Sequence, residues 1–209
     1  MVVLGILIVF ASVILLFLLF YLFIFLRDPE RGVPIGDNIV APADGKVIKV
    51  IKLENISEMK IEKGVLGKIK TLVSDTCKEG YLITIMMDIF NVHVQRAPVE
   101  GKVISTKYVN GSFKNAVYGD KFENGLLNEK NEIIIENRKI GKIKVIQIAG
   151  IVARRIVCFV RKNQKINKGQ KIGMIKFGSQ VCVIFPDKVK LSVKEGDNVK
   201  AGETVLGMI

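Results

Sequence analysis

The sequence predicts a mainly β domain that follows a single N-terminal transmembrane helix. Two observations lead to this fold class. Residues Val2 to Leu26 are uncharged and almost wholly apolar, and from residue 37 onward short runs rich in Val and Ile alternate with Gly, Asn, Asp and Lys. Many short strands at close spacing are typical of an all-β barrel or sandwich. No long amphipathic helical pattern competes with this interpretation.

The apolar run is interpreted as a membrane anchor over residues 1–26. About 20 helical residues cross the hydrocarbon core of a bilayer, so the run is long enough to span it. A signal peptide would carry a positive start, a shorter apolar core and a small-residue cleavage site, and the run has none of these. A buried core helix would usually show a polar face, which is also missing. Residues 27–209 then form the second domain.

Charge predicts the orientation and the surroundings of that domain. Arg27 and Arg31 follow the run, Lys46, Lys49 and Lys52 come later, and no Lys or Arg precedes it. The positive-inside rule therefore predicts a single-pass protein of the cell membrane with its domain on the cytoplasmic side. The formal net charge of +12 indicates an anionic partner. Because no aromatic-rich nucleic-acid motif is present, an anionic membrane surface is favoured over nucleic acid.

Within the β domain two segments are less regular, residues 54–80 and 110–131. The second is rich in Asn and Gly, and it is interpreted as a mobile loop that acts as a lid. Residues 41–50 and 193–209 resemble the turns of biotinyl/lipoyl-type β-sandwich domains. No lysine has the Met-Lys-Met setting of a biotin attachment site, so a carrier function is excluded.

The three cysteines predict neither a disulfide framework nor a metal site. Their number is odd, and Cys77, Cys158 and Cys182 lack metal-ligand spacing. Cys158 and Cys182 lie in apolar runs, so both are expected to be small core residues in a reducing compartment.

Several polar residues stand in recognisable settings. Gly178-Ser179 lies between two predicted strands, Asp44 lies in APADGKV, and His93, the single histidine, lies in NVHVQRAP. Gln147 precedes Ala-Gly and the pair Arg154-Arg155. Taken one at a time, each has an ordinary interpretation. Gly-Ser usually marks a turn, Asp-Gly a hairpin and a lone histidine a core position.

In combination these segments resemble the phosphatidylserine decarboxylase family, in its short, membrane-anchored form. The motifs are RDPER, APADGKV, NVHVQRAP, QIAG with ARRIV, FGS and GETVLG, in this order between residues 27 and 207. The resemblance implies a zymogen that cuts its own Gly178–Ser179 bond. The fragments 1–178 and 179–209 would stay together as a heterodimer, and Ser179 would become a covalent pyruvoyl group, the only cofactor needed.

The chemistry of that cleavage explains the residue types. The Ser179 hydroxyl attacks the carbonyl carbon of Gly178, and glycine has no side chain to block the approach. A serine hydroxyl needs a base, and the resemblance offers His93, with Asp44 orienting its ring as in a Ser-His-Asp triad. Arg96, which cannot accept a proton, stands where a second histidine is expected. The base therefore stays open between His93 and Asp44.

The implied substrate is a membrane lipid with a phosphoserine head, which loses CO2 to give the ethanolamine lipid. Phosphatidylserine and archaetidylserine share that head, so the lipid backbone stays open. Arg96, Arg154 and Arg155 are candidates for the lipid phosphate because guanidinium groups bind phosphate bidentately, although surface charge explains them equally well. Gln147 is a further candidate for substrate binding.

Two alternatives remain. A non-enzymatic, membrane-tethered biotinyl/lipoyl-like module predicts an uncut chain, and it gives no reason for Ser179, His93 and Asp44 to occur together. A pyruvoyl decarboxylase of a soluble amino acid would not require an anchor. We also expect the domain from about residue 30 onward to cut itself without the anchor, because the cleavage chemistry is predicted to lie wholly within the β domain.

Overall fold

The computed structural model describes residues 2–54, 73, 75–77, 79–111, 128–150, 155–176 and 179–209, with the backbone alone at Ser179. All structural statements below concern these residues. Gly178, Arg154 and most of the predicted lid at 110–131 lie outside them, as does most of the segment 54–80.

The chain begins with the apolar helix that the sequence predicts. Helix α1 spans Val2–Leu19 and continues as a π-helical turn over Phe20–Phe25. The amide of Leu26 closes this turn by donating to the carbonyl of Tyr21 at 3.0 Å. By length and composition Val2–Phe25 can cross a membrane. None of the α1 side chains is buried. In the π-helical turn that follows, Phe25 is the one buried residue.

The rest of the described chain is built from short strands, which confirms the mainly β prediction. In chain order they are β1 (Asn38–Val40), β2 (Gly45–Lys52), β3 (Gly80–Met87), β4 (Val94–Arg96), β5 (Gly101–Val109), β6 (Lys130–Asn137), β7 (Gly141–Ile148), β8 (Ile156–Cys158), β9 (Lys165–Ile166), β10 (Lys171–Ile175), β11 (Ser179–Pro186), β12 (Lys190–Leu191), β13 (Asn198–Val199) and β14 (Val205–Met208).

An eight-stranded antiparallel sheet forms the centre, in the order β13-β2-β3-β11-β7-β6-β5-β9. Successive side chains of a strand point to opposite faces, and β11 shows the result. Val181, Val183 and Phe185 join the larger apolar cluster, whereas Cys182 and Ile184 join a smaller cluster on the other face. Both faces of the central strands are therefore buried, which explains their nearly continuous Val and Ile content.

Two three-stranded sheets complete the fold, β1-β14-β12 and β4-β10-β8. Strand β10 of the second sheet leads to the predicted cleavage point, because the next strand, β11, begins at Ser179. The two segments predicted to be alike lie side by side, since β2 pairs with β13 through Lys46↔Asn198 and Gly45↔Val199. Their likeness to biotinyl/lipoyl domains stays a prediction.

The cysteines differ in part from expectation. All three are free, and Cys182 is buried as predicted. The prediction for Cys158 is wrong, because its side chain is exposed. Strand β8 pairs with β10 alone and forms the edge of its sheet, so an apolar run there does not guarantee burial.

Candidate active site

The predicted cleavage point lies in the connection between a strand of one sheet and a strand of another. Strand β10 ends at Ile175, and β11 begins at Ser179 in register with Met87 at the end of β3. Gln180 follows, paired with Met86 on one side and Ile148 on the other. The backbone of Ser179 therefore pairs with β3 alone, and from Gln180 onward the chain lies between β3 and β7 in the middle of the central sheet.

His93 lies beside the chain that leads into this point. It directly precedes β4, in which Val94 is paired with Met174 of β10. The amide of Ile175 donates to the carbonyl of His93 at 3.3 Å. The structure thus places His93 opposite the last residue of β10, three positions before Gly178.

The His93 side chain is fully buried, and its ring nitrogens make no well-formed hydrogen bond within the described residues. Its exposed fraction is 0%, and neither ring nitrogen has a hydrogen-bond partner of good geometry among the described residues. Its ring packs on that of Phe25, with centroids 4.0 Å apart and planes tilted by 31°. Buried polar groups are nearly always paired, so the imidazole is a candidate for contact with a reacting group.

Burial also sets the protonation state of His93. Desolvation lowers the pKa of His93 to about 4, an effect that the Asn91 backbone, Asp88 and Asp44 oppose and Arg27 reinforces. The imidazole is therefore neutral at pH 7, which is the form that can accept a proton.

Gln147 belongs to a buried chain of amides that holds the backbone at His93. Gln95 Nε2 donates to the His93 carbonyl, Gln147 Nε2 donates to Gln95 Oε1, and Asn131 Nδ2 donates to Gln147 Oε1, each at 2.8 Å. Gly173 is required at this point, because a Cβ there would collide with the Gln147 amide. Gln95 and Asn131 were not among the predicted residues. The signal for Gln95 was a polar residue within an apolar strand motif.

Asp44 is engaged by Arg31 and not by His93. Arg31 Nη2 lies 3.0 Å from both carboxylate oxygens, and the Ala201 amide donates to Oδ1 at 2.8 Å. No hydrogen bond joins Asp44 to His93 among the described contacts, so the structure does not bring the two into a triad. Gly45 has φ +142°, and a Cβ there would meet a carbonyl of β3. Asp44 is thus fixed at the start of β2.

The three arginines considered for the lipid phosphate have different surroundings. Arg96 is buried and donates to Asp28 Oδ1 at 2.6 Å, to the Pro29 carbonyl at 3.1 Å and to the Gly169 carbonyl at 3.1 Å. Its guanidinium is therefore used inside the protein. Arg155 is exposed, and Arg154 lies outside the described residues.

Residues of the RDPER motif connect the apolar segment to the β domain through hydrogen bonds and ion pairs. Arg27 donates to the carbonyls of Ile24 and Phe90, and Asp28 forms ion pairs with Arg96 and Lys171. Arg31, the partner of Asp44, has a side chain only 6% exposed. The sequence predicts for Arg31 only a role in membrane orientation, whereas in the structure it is a buried ion-pair partner.

One cleft of the described structure lies away from the predicted site residues. A cleft of about 460 Å³ is bordered by Asp37, Glu100, Lys139 and Lys168 among others, and none of the predicted site residues lines it. No group of three or more potential metal ligands occurs among the described residues.

Sequence comparison with known proteins identifies the family of this chain. Residues 18–207 match the model of the phosphatidylserine decarboxylase family. The chain belongs to the phosphatidylserine decarboxylase family. Its relatives include the phosphatidylserine decarboxylase proenzymes of Desulfotalea psychrophila, 39% identical over 88% of this chain and 78% of the relative, and of Geobacter metallireducens, 38% identical over 96% and 81%.

A third relative comes from an archaeon. The "Putative archaetidylserine decarboxylase proenzyme" of Methanothermobacter thermautotrophicus is 42% identical over 87% of this chain and 78% of the relative. The relatives named for phosphatidylserine and the relative named for archaetidylserine thus have similar sequence identity to this member of the phosphatidylserine decarboxylase family. The non-enzymatic module considered from the sequence has no support from these relatives.

The contact between Phe25 and His93 changes the expectation for a truncated domain. A chain that begins at Glu30 lacks Phe25 and Asp28, which leaves the His93 ring open and Arg96 without its carboxylate. We expect this chain to be far less stable and poorly cut, since removing a buried phenylalanine side chain alone costs roughly 3–5 kcal/mol. A chain that begins at Leu19 is expected to be cut normally. Thermal unfolding and denaturing electrophoresis in detergent measure both effects.

A full-length Phe25→Ala variant separates the aromatic contact from the anchor. This variant is expected to lose stability as the chain that begins at Glu30 does, although residues 2–24 of the candidate span are retained. Normal cleavage and unfolding temperature in both Phe25→Ala and the Glu30 chain would show that the chemistry is independent of the junction.

Proposed function

We propose that this chain decarboxylates a membrane lipid with a phosphoserine head to the corresponding ethanolamine lipid, with a pyruvoyl group formed from Ser179. The observation that carries the proposal is the family match over residues 18–207. The relatives are named as decarboxylase proenzymes of such lipids, and a proenzyme requires processing. The position of His93 beside the chain into Ser179 supports the same reaction.

The surroundings of Ser179 fit a pyruvoyl group at that position. A cut before Ser179 would leave β11 paired with β3 and β7 along its length. The strands β13 and β14 of the same fragment pair with β2 and β1, so residues 179–209 would stay bound to residues 1–178. The unpaired ring nitrogens of His93 provide a buried polar group for the reacting atoms. A pyruvoyl ketone supplies the electron sink for decarboxylation, a role that an external cofactor has in other enzymes.

For the self-cleavage, His93 is the base that the geometry favours. Its neutral imidazole accepts the Ser179 hydroxyl proton as the oxygen bonds to the Gly178 carbonyl carbon. The C–N bond then breaks, and the nitrogen of Ser179 receives the proton. Loss of the Ser179 α-proton expels the Gly178 carboxylate, and addition of water to the resulting dehydroalanine releases ammonia and leaves the ketone. Asp44, held by Arg31 and Ala201, positions β2 in this scheme.

Membrane attachment supports a lipid substrate. The anchor ends at Phe25, and the RDPER contacts hold the β domain directly against it. A headgroup in the same leaflet is therefore at high local concentration. Of the arginines considered for the lipid phosphate, Arg155 is described and exposed, so it is the candidate that can meet the phosphate. We place the domain at the cytoplasmic, anionic leaflet.

The intact mass of the purified protein tests the proposal. We expect two fragments, residues 1–178 and 179–209, with the mass of the second reduced by the change from an N-terminal serine to a pyruvoyl group. The same preparation is expected to release CO2 from phosphoserine lipid in vesicles and not from free serine. A single intact chain, or turnover of free serine at the rate of the lipid, would overturn the proposal.

A further inference from the structure

We propose that the turn Asp88–Asn91 is a second membrane contact, which inserts Ile89 and Phe90 into the leaflet where the anchor emerges. The inference rests on the membrane placement of the anchor in the proposed function and does not depend on decarboxylation. It assigns a lipid-bilayer surface to a part of the β domain that touches the anchor segment and leads into His93.

The turn is closed by its own polar groups. The Asp88 amide donates to Asn91 Oδ1 at 2.8 Å, and Asp88 Oδ1 accepts from the amides of Phe90 and Asn91 at 2.8 and 3.1 Å. The Asn91 amide also reaches the Asp88 carbonyl at 3.2 Å. Backbone groups that are satisfied internally enter an apolar medium at much lower cost than unpaired ones.

The side chains at the tip of the turn are apolar and exposed. Ile89 is 46% and Phe90 61% exposed, although the strand before them and Val92 after them are buried. Two adjacent large apolar side chains on a tightly held turn form a patch that water solvates poorly, and such patches mark interaction sites.

The position of the turn identifies the bilayer as the occupant. The Phe90 ring packs edge-on against that of Phe20, with centroids 6.0 Å apart and planes at 88°. Phe20 begins the last turn of the segment that can span the membrane. Arg27 donates to the carbonyls of Phe90 and Ile24, and arginine side chains near the ends of membrane spans extend to the bilayer interface. The turn thus lies at the depth where the span leaves the hydrocarbon.

Insertion of this turn would fix the depth of the site. His93 follows Asn91 after the single buried residue Val92, so a turn held in the interface holds His93 next to the headgroup layer. A single helical anchor allows the domain to tilt about one point, whereas an anchor and a second contact define its orientation.

A fluorescence experiment tests the inference on the full chain, which contains no tryptophan. Phe90→Trp introduces a sole reporter, and the protein is placed in phosphatidylcholine and phosphatidylglycerol vesicles with nitroxide-labelled lipids. Leu16→Trp, in the middle of the anchor, is the positive control. Tyr108→Trp, which is 52% exposed on β5 and four strands from β3, is the control for the aqueous surface. Ile89→Trp replaces Phe90→Trp if thermal unfolding shows that the latter does not fold.

We expect blue-shifted emission from Phe90→Trp and loss of its intensity with shallow nitroxides, stronger quenching of Leu16→Trp by deep nitroxides, and quenching of Tyr108→Trp by aqueous iodide alone. If Leu16→Trp is quenched by labelled lipid and Phe90→Trp behaves like Tyr108→Trp, the inference is wrong and the anchor placement stands. If Leu16→Trp is not quenched either, the anchor placement fails together with the inference. The readout needs no catalytic activity, so a failure of the proposed decarboxylation is detected separately.

Discussion

Replacement of Ser179 by alanine is expected to leave a single uncut chain that releases no CO2 from phosphoserine lipid. The variant keeps the backbone that starts β11 and pairs with Met87, but it lacks the hydroxyl that attacks Gly178. Without that attack no ester forms, and the ketone needed for decarboxylation cannot arise. Denaturing electrophoresis and intact mass report the uncut chain, and a CO2 assay on vesicles reports the lost activity.

Ser192→Ala is the matched control for this variant. Ser192 is exposed and lies in the same C-terminal segment, so its replacement is expected to leave cleavage and turnover unchanged. The unfolding temperature of Ser179→Ala is compared with that of both proteins to exclude misfolding. Lipid decarboxylation by folded Ser179→Ala would show that the reactive group comes from another residue.

Local sequence patterns predicted the elements of this fold well. The anchor was recognisable because a long uncharged run has few alternative structures, and the strands because Val- and Ile-rich runs between turn residues have a strong local preference. That His93 and Ser179 belong to one site was predicted from the family resemblance carried by the order of the motifs along the chain. Its geometry was not, because no local pattern states that the end of β10 lies opposite His93.

Tertiary pairing decided what the sequence left open. Asp44 was assigned to His93 by analogy with a triad, whereas its partner in the structure is Arg31, a residue that the sequence linked only to membrane orientation. Phe25 was indistinguishable from its apolar neighbours, and only the packing of the last anchor turn onto His93 buries it. Contacts between residues that are distant in sequence determine which charged residue of a motif forms an ion pair. They also determine which residue of an apolar run is buried.

His93→Gln is expected to slow self-cleavage by roughly 10²–10⁴-fold, the usual cost of removing a general base, while the chain remains folded. Glutamine retains a polar side chain of moderate size but cannot accept a proton at neutral pH. In the wild-type chain, a pKa of about 4 for His93 keeps the base neutral above that value. The cleavage rate should therefore stay nearly level from pH 8 to 6 and fall as the pH approaches 4. Loss of the uncut chain on denaturing gels measures the cleavage rate of His93→Gln and the pH dependence of the wild-type rate. A His93→Gln chain cut at the wild-type rate would show that His93 only fills the core.

The contrast with Asp44 decides which group is the base. Asp44→Ala is expected to impair maturation through folding, because removal of one partner of a buried ion pair costs about 3–5 kcal/mol when the other is left unpaired. Arg31→Ala should then give a similar loss. An apolar pair, Asp44→Leu with Arg31→Met, removes both charges together, and such replacements of buried ion pairs are often neutral or stabilising. If His93 is the base, the double variant should recover both its unfolding temperature and its cleavage. If the double variant folds and remains uncut, the proton passes to Asp44, and the role assigned to His93 is wrong.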